Sequence, residues 1–142
     1  VSQVLPALVQ AFYSPPNSVV WMEQPEIHLH PSAQANLADA FISAVQSNES
    51  GSARGTQLII ETHSEHFLTR LQRRVAERRI EATDVAVYFV KREGASAELE
   101  ALRLNLFGEI ENWPVNFFGD EMGDIAARTL EAIKRQAAGE RA

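Results

Sequence analysis

The 142-residue chain has no cysteine, which excludes disulfides and every metal site built on thiolates. No apolar run approaches the roughly 20 residues that a membrane span needs, so no membrane partner is expected. An excess of positive charge is missing too. The net charge is −6 at pH 7, which argues against a chain that coats nucleic acid electrostatically. There is no internal repeat and no low-complexity tract. What remains, 45% hydrophobic and 23% charged residues, is the composition of a soluble globular chain with a real core. Val1 already lies inside an apolar-periodic segment, so a fragment or processed piece of a longer polypeptide is expected.

Apolar spacing divides the chain into alternating elements. Val4, Leu5, Leu8, Val9 and Phe12 fall at helical intervals; Pro6 fits only the first turn, so this helix is predicted to begin near Leu5. Val19 to Met22 reads as a short buried strand. Pro31 suits the first position of a second helix with Ala33, Leu37, Phe41, Ala44 and Val45 on one face. Residues 48–55 form a Gly/Ser loop, and Leu58-Ile59-Ile60 a second strand. Thr62-x-x-Glu65 has the capping-box pattern, predicting a third helix through Phe67, Leu68, Leu71 and Val75. Residues 84–90 read as a third strand, with Val85, Val87 and Phe89 on one side and Ala86, Tyr88 and Val90 on the other. Strands apolar on both faces that alternate with helices predict an α/β fold, its parallel sheet covered on both sides. A hairpin-like turn (91–97), a further strand (98–106), an aromatic loop (107–120) and a final amphipathic helix (122–137) complete the reading.

The residues that could carry chemistry gather just beyond two strand ends. The first strand runs into Glu23-Gln24-Pro25-Glu26, then His28 and His30. The second runs into Glu61-Thr62-His63, then His66. The C-terminal edge of a parallel sheet is where α/β folds place their sites, so one shared site is expected. Two chemistries fit it. Four apolar residues followed by an acid suit a strand tip that holds Mg²⁺ beside a nucleotide. The HxH and HxxH pairs with Glu23, Glu26 and Glu61 suit a zinc, manganese or iron centre of a metal-dependent hydrolase. Blander roles are open as well: helix capping for His30 and Glu65, ion pairing for Glu61, a surface position for His66. A basic stripe, Arg70, Arg73, Arg74, Arg78 and Arg79, reads as a solvated helix face or as a surface for DNA or a partner. Trp113, Phe117 and Phe118 are expected in the core of a small C-terminal unit.

The stretches VSQVLP, EQPEIHLHP, QLIIETHSEH and ENWPVNFF together resemble the OLD-like branch of AAA/ABC-type ATPases, relatives of SMC and RecF proteins, with an appended small C-terminal domain of unknown function. The resemblance implies the C-terminal half of a P-loop NTPase over residues 1–94 and a small β/α element over 95–142. It implies that Glu23 is the Walker B acid and Mg²⁺ ligand, that Gln24 stands at the catalytic glutamate position, that residues 28–31, His30 among them, belong to the D-loop region, and that His63 is the switch histidine reaching the γ-phosphate. Ser2 and Gln3 fall at the trailing end of the signature motif, where they would touch nucleotide across a homodimer that sandwiches ATP. A cytoplasmic location and a DNA or effector partner are further implications. Two departures stand out. No GxxxxGK[ST] occurs, so the phosphate-cradling loop and its lysine are absent from this chain, and ATP and Mg²⁺ binding would require that missing half. Gln24 can orient water but cannot accept its proton, so either hydrolysis is slow and ATP acts mainly as a dimerising switch, or Glu26 replaces it as the base. A non-catalytic regulatory module derived from such an ATPase is the third possibility.

Overall fold

Alternation along residues 19–23 decides the architecture. In the computed structural model, which describes residues 4–94, 96–114 and 117, strand β1 (Val19–Glu23) buries Val20 and Met22 and exposes Val19, Trp21 and Glu23. Before it lies helix α1 (Val4–Tyr13), with Pro6 in its first turn, where no intrahelical N–H is required. After it come α2 (Pro31–Val45), the two-residue strands β2 (Asn48–Glu49) and β3 (Ser52–Ala53), β4 (Gln57–Glu61) and α3 (Glu65–Ala76). β1 and β4 pair in parallel, Val19 opposite Gln57 through Glu23 opposite Glu61. The result is a mixed α/β arrangement whose core sits on one face of a parallel pair.

That core joins Ala11 of α1, Val20 and Met22 of β1, Leu37, Ala38, Phe41 and Ala44 of α2 and Phe67 of α3, with Leu58 and Ile60 packed against it. The Phe41 and Phe67 rings lie 6.0 Å apart at 58°, a tilted aromatic contact between the two helices. Covering on both faces is not what the described residues display. Trp21 is 71% exposed and Val19 and Ile59 more than half, because period-2 alternation sends them to the side away from the helices.

The third strand departs from expectation. β5 (Val87–Glu93) does not extend the parallel sheet; it pairs antiparallel with β6 (Ser96–Leu102), from Val87 opposite Leu102 to Glu93 opposite Ser96. Gly94, at φ +62°, supplies the left-handed residue a tight reversal needs. The alternation itself holds: Val87 and Phe89 are half-buried, Tyr88 and Val90 exposed. β6 ends at Leu102, four residues short of the predicted strand, and Leu104 instead bridges Ile110. The loop between them packs on α3, where Gln72 Nε2 donates to Gly108 O at 2.9 Å. A Cβ on Gly108 would meet Gln72 O at 2.1 Å, so only glycine allows that approach.

Residues 48–55 are not a loose loop. β2 and β3 form a minimal hairpin, and buried Arg54 donates through its guanidinium to the carbonyls of Phe12 and Ser14, capping the C-terminal end of α1, and pairs with Glu49 at 3.3 Å. The chain divides into two compact units, Val1–Glu111 and Asn112–Ala142. In the second, the Trp113 and Phe117 rings meet edge-on at 4.7 Å. Phe118 and the predicted helix 122–137 lie outside the described residues. Among the described residues no helix is long and apolar enough to cross a membrane.

The basic stripe of α3 is largely consumed inside the protein. Arg70 and Arg74 both bind Asp39 of α2 at 2.6 Å, and Arg73 and Arg74 bind Glu77 at 2.7 and 2.5 Å. The Arg74 guanidinium, with Arg70 beside it, holds the Asp39 carboxyl below the usual aspartate range. Such a group stabilises the fold fully above its unfolded-state pKa and loses that contribution as pH falls through its folded value. Asp39→Asn is therefore expected to cost about 1–2 kcal/mol near neutral pH. Urea midpoints should show the loss at pH 7 and show it shrink in acid below the ordinary aspartate pKa; a gap independent of pH would contradict the assignment.

Candidate functional site

Parallel, in-register pairing brings the two strand tips side by side. Glu23 and Glu61 are direct register partners, and both are exposed. The ladder runs one residue further, Gln24 N donating to Glu61 O at 2.8 Å. The chain then folds back twice: Ile27 N donates to Gln24 O at 3.1 Å and Leu29 N to Glu26 O at 3.0 Å. These turns place Gln24 at φ +43° and His28 at φ +66°. Left-handed backbone at side chains other than glycine costs about 1–3 kcal/mol and persists where the surroundings over-determine it.

Glu26 ties this turn to the second strand end. The side chain is only 5% exposed, and its Oε1 accepts from Thr62 Oγ1 at 2.6 Å and from His63 N at 3.1 Å. Thr62 Oγ1 in turn accepts from Ser64 N at 3.0 Å. Ser64 Oγ accepts from Phe67 N at 3.0 Å and donates to Gln34 Oε1 at 2.6 Å, and Gln34 Nε2 donates to Leu29 O at 3.0 Å. The loop after β1, the start of α2 and the start of α3 are thus one hydrogen-bonded unit. The N-cap of α3 is Ser64, not Thr62 as the capping-box pattern predicts: Thr62 Oγ1 accepts from Ser64 N, just outside the helix, and Ser64 Oγ takes the Phe67 N–H. Glu65 opens the helix as the acid in its first turn, where it complements the macrodipole.

Gln24, Glu26, Ile27, His28, Gln34, His63 and Ser64 line one shallow, open pocket of about 240 Å³. Of the residues the sequence singles out, Gln24, Glu26 and His63 meet there with His28. Glu23 stands at the neighbouring strand tip without lining the pocket. His30 is the N-cap of α2: its Nδ1 accepts from Ser32 N at 3.3 Å and shares a 2.8 Å hydrogen bond with Ser32 Oγ. Ser2 and Gln3 lie outside the described residues. Gln34 and Ser64 went unnoticed in the sequence; Ser64 carries a capping signal, while Gln34 sits in the polar stripe of a helix and offers none.

The transition-metal reading needs the histidines and glutamates to converge. They do not. Among the described residues no three of them gather as a metal-binding group; His28 and His63 line the pocket while His30 caps a helix and His66 is exposed. Glu23 and Glu61 stand opposite one another at the strand tips as two exposed carboxylates.

Comparison with known families agrees in class. Residues 10–68 match the family model of an AAA ATPase domain. Residues 80–127 match a second family, described only as a protein of unknown function (DUF3696). No curated protein and no solved structure matches the chain. The first match supports a likeness to AAA-type ATPases over residues 10–68 of a mixed α/β chain.

Ser64→Ala is expected to cost about 1–2 kcal/mol through the lost cap and the lost bond to Gln34, and to speed amide hydrogen exchange at Phe67. Unchanged exchange at Phe67 would put the cap elsewhere.

Proposed function

We propose that this chain is the C-terminal part of an ABC-type, OLD-like ATPase domain in which ATP drives dimerisation, followed by the small domain of the second family match. The observation that carries the reading is the convergence of Gln24, Glu26 and His63 on one pocket beside the Glu23 strand tip. Two polar tips on adjacent parallel strands are what a terminal phosphate and its water require: one supplies the metal-ligating acid, the other a donor for phosphate oxygens.

In this reading Glu23 is the Walker B acid. Bound at Glu23, Mg²⁺ would neutralise charge on the phosphates. His63 stands just before α3, whose N-terminal dipole favours a phosphate nearby; an imidazole N–H can donate a hydrogen bond to the γ-phosphate. Gln24, held at its turn by the bond to Glu61 O, orients the attacking water through its carboxamide. Proton acceptance from that water falls to no carboxylate at position 24, which makes slow hydrolysis and a long-lived ATP-bound dimer the natural outcome. The phosphate-cradling loop must come from elsewhere in the polypeptide, and Ser2 and Gln3 would meet the nucleotide of the other copy. A cytoplasmic location and action on DNA or through an effector protein belong to the same proposal. For DNA, Arg78 and Arg79 are better placed than Arg70, Arg73 and Arg74, which are spent on Asp39 and Glu77.

The full-length protein carrying this chain is expected to bind and hydrolyse Mg·ATP. Glu23→Gln and His63→Ala should each lower turnover by about 10²-fold or more, and the 142-residue chain alone should show weak ATP binding or none by calorimetry. A full-length protein that has the phosphate-cradling loop yet neither binds nor hydrolyses ATP contradicts the proposal. Gln24→Glu restores a proton acceptor and should raise turnover by about tenfold or more; an unchanged or lower rate would mean that Gln24 does not face the attacking water.

A further inference from the structure

Two charged side chains are buried among the described residues, Arg54 and Glu26. Arg54 has its carbonyl partners and Glu49. Glu26 pairs with no cation among the described residues, and its two oxygens differ sharply. Oε1 takes two donors, while Oε2 is sealed from solvent and has no hydrogen-bond partner. A general base must lie within hydrogen-bond reach of the water it deprotonates. Oε2 is closed to such a water, and Oε1 already holds two donors.

The same bonds say what Glu26 does instead. Thr62 Oγ1 already accepts from Ser64 N, so its proton must point to Glu26 Oε1. The His63 N–H is fixed to that same atom. Thr62 and His63 are therefore held directly by one carboxylate oxygen delivered from the other strand tip, and Ser64 N is held in turn by the Thr62 hydroxyl. Removing that acceptor would leave two part-buried donors unsatisfied, each at a cost of about 1–3 kcal/mol, and the segment bearing His63 would turn to find others.

We propose that Glu26 is a positioning residue that sets the His63 imidazole against the terminal phosphate, and that it is not the proton acceptor. This rests on the reading of the pocket as an ATP site. It removes the carboxylate next to Gln24 that would otherwise stand in for it as base, so the nucleotide is read mainly for the presence of its γ-phosphate.

The test uses the full-length protein, with affinities for Mg·ATP and Mg·ADP and the turnover rate measured on each variant. Glu26→Gln keeps an acceptor at the Oε1 position, and should retain both the preference for ATP over ADP and a turnover within about threefold of the parent, where loss of a base costs about 10²–10⁴-fold. Glu26→Ala should reduce the preference by about tenfold, and adding it to His63→Ala should produce no further loss, as expected of residues acting through one another. Thr62→Val, which keeps the side-chain volume, should lower the preference in the same direction, and covers the case in which Glu26→Ala does not fold. A Glu26→Gln turnover lowered by about 100-fold or more makes Glu26 the base and overturns the inference while leaving the ATPase reading intact. Unchanged ATP preference in both Glu26→Ala and Thr62→Val also overturns it. A parent protein that binds neither nucleotide overturns both.

Discussion

The carboxylate of Glu26 makes two strand ends into one site. β1 and β4 pair through backbone hydrogen bonds, but that pairing alone would leave the segments beyond Glu23 and Glu61 as independent loops. A buried acceptor taking the Thr62 hydroxyl and the His63 N–H joins them. The left-handed turns at Gln24 and His28 carry the chain to this contact, and the bonds from Ser64 through Gln34 to Leu29 tie the starts of α3 and α2 to the same loop. Loops are ordinarily the mobile part of an α/β fold; here the loops beyond the two strand tips are cross-linked by side-chain hydrogen bonds.

Much of this was legible in the sequence where the information is local. Four apolar residues running into an acid marked β1, Pro31 marked the start of α2, and His30 before it was readable as a cap. The gathering of polar residues beyond two strands pointed to a shared edge. Elsewhere the sequence misled. Thr62-x-x-Glu65 satisfies the capping pattern, yet Thr62 Oγ1 accepts from Ser64 N, just outside the helix, and the serine two positions on becomes the cap. Alternation in residues 84–90 identified a strand without revealing its direction, since period 2 is common to parallel and antiparallel pairing; the Gly94 reversal decided it. Arg54 in a Gly/Ser stretch gave no sign that it would reach back 40 residues to close α1.

The same contrast separates the two chemistries that the HxH pair suggested. Ligand spacing in a chain is a weak guide, because adjacent histidines can be sent to different tasks by a single turn. His28 and His30 are, one at the pocket and one on a helix end. In the proposed reading, what survives is an arrangement for a phosphate: a strand-tip acid, a carboxamide at a left-handed turn, and a histidine ahead of a helix. On that reading, glutamine where a base is expected, and a carboxylate turned inward to hold a loop, together favour holding ATP over turning it over.

The position of His63 relative to bound nucleotide tests this most directly. With histidines labelled in the full-length protein, the four imidazoles report separately by NMR. A non-hydrolysable ATP analogue with Mg²⁺ should shift the His63 ring resonances while ADP leaves them near their free positions. Equal shifts with both nucleotides, or a response confined to His66, would mean that the pocket does not read the γ-phosphate.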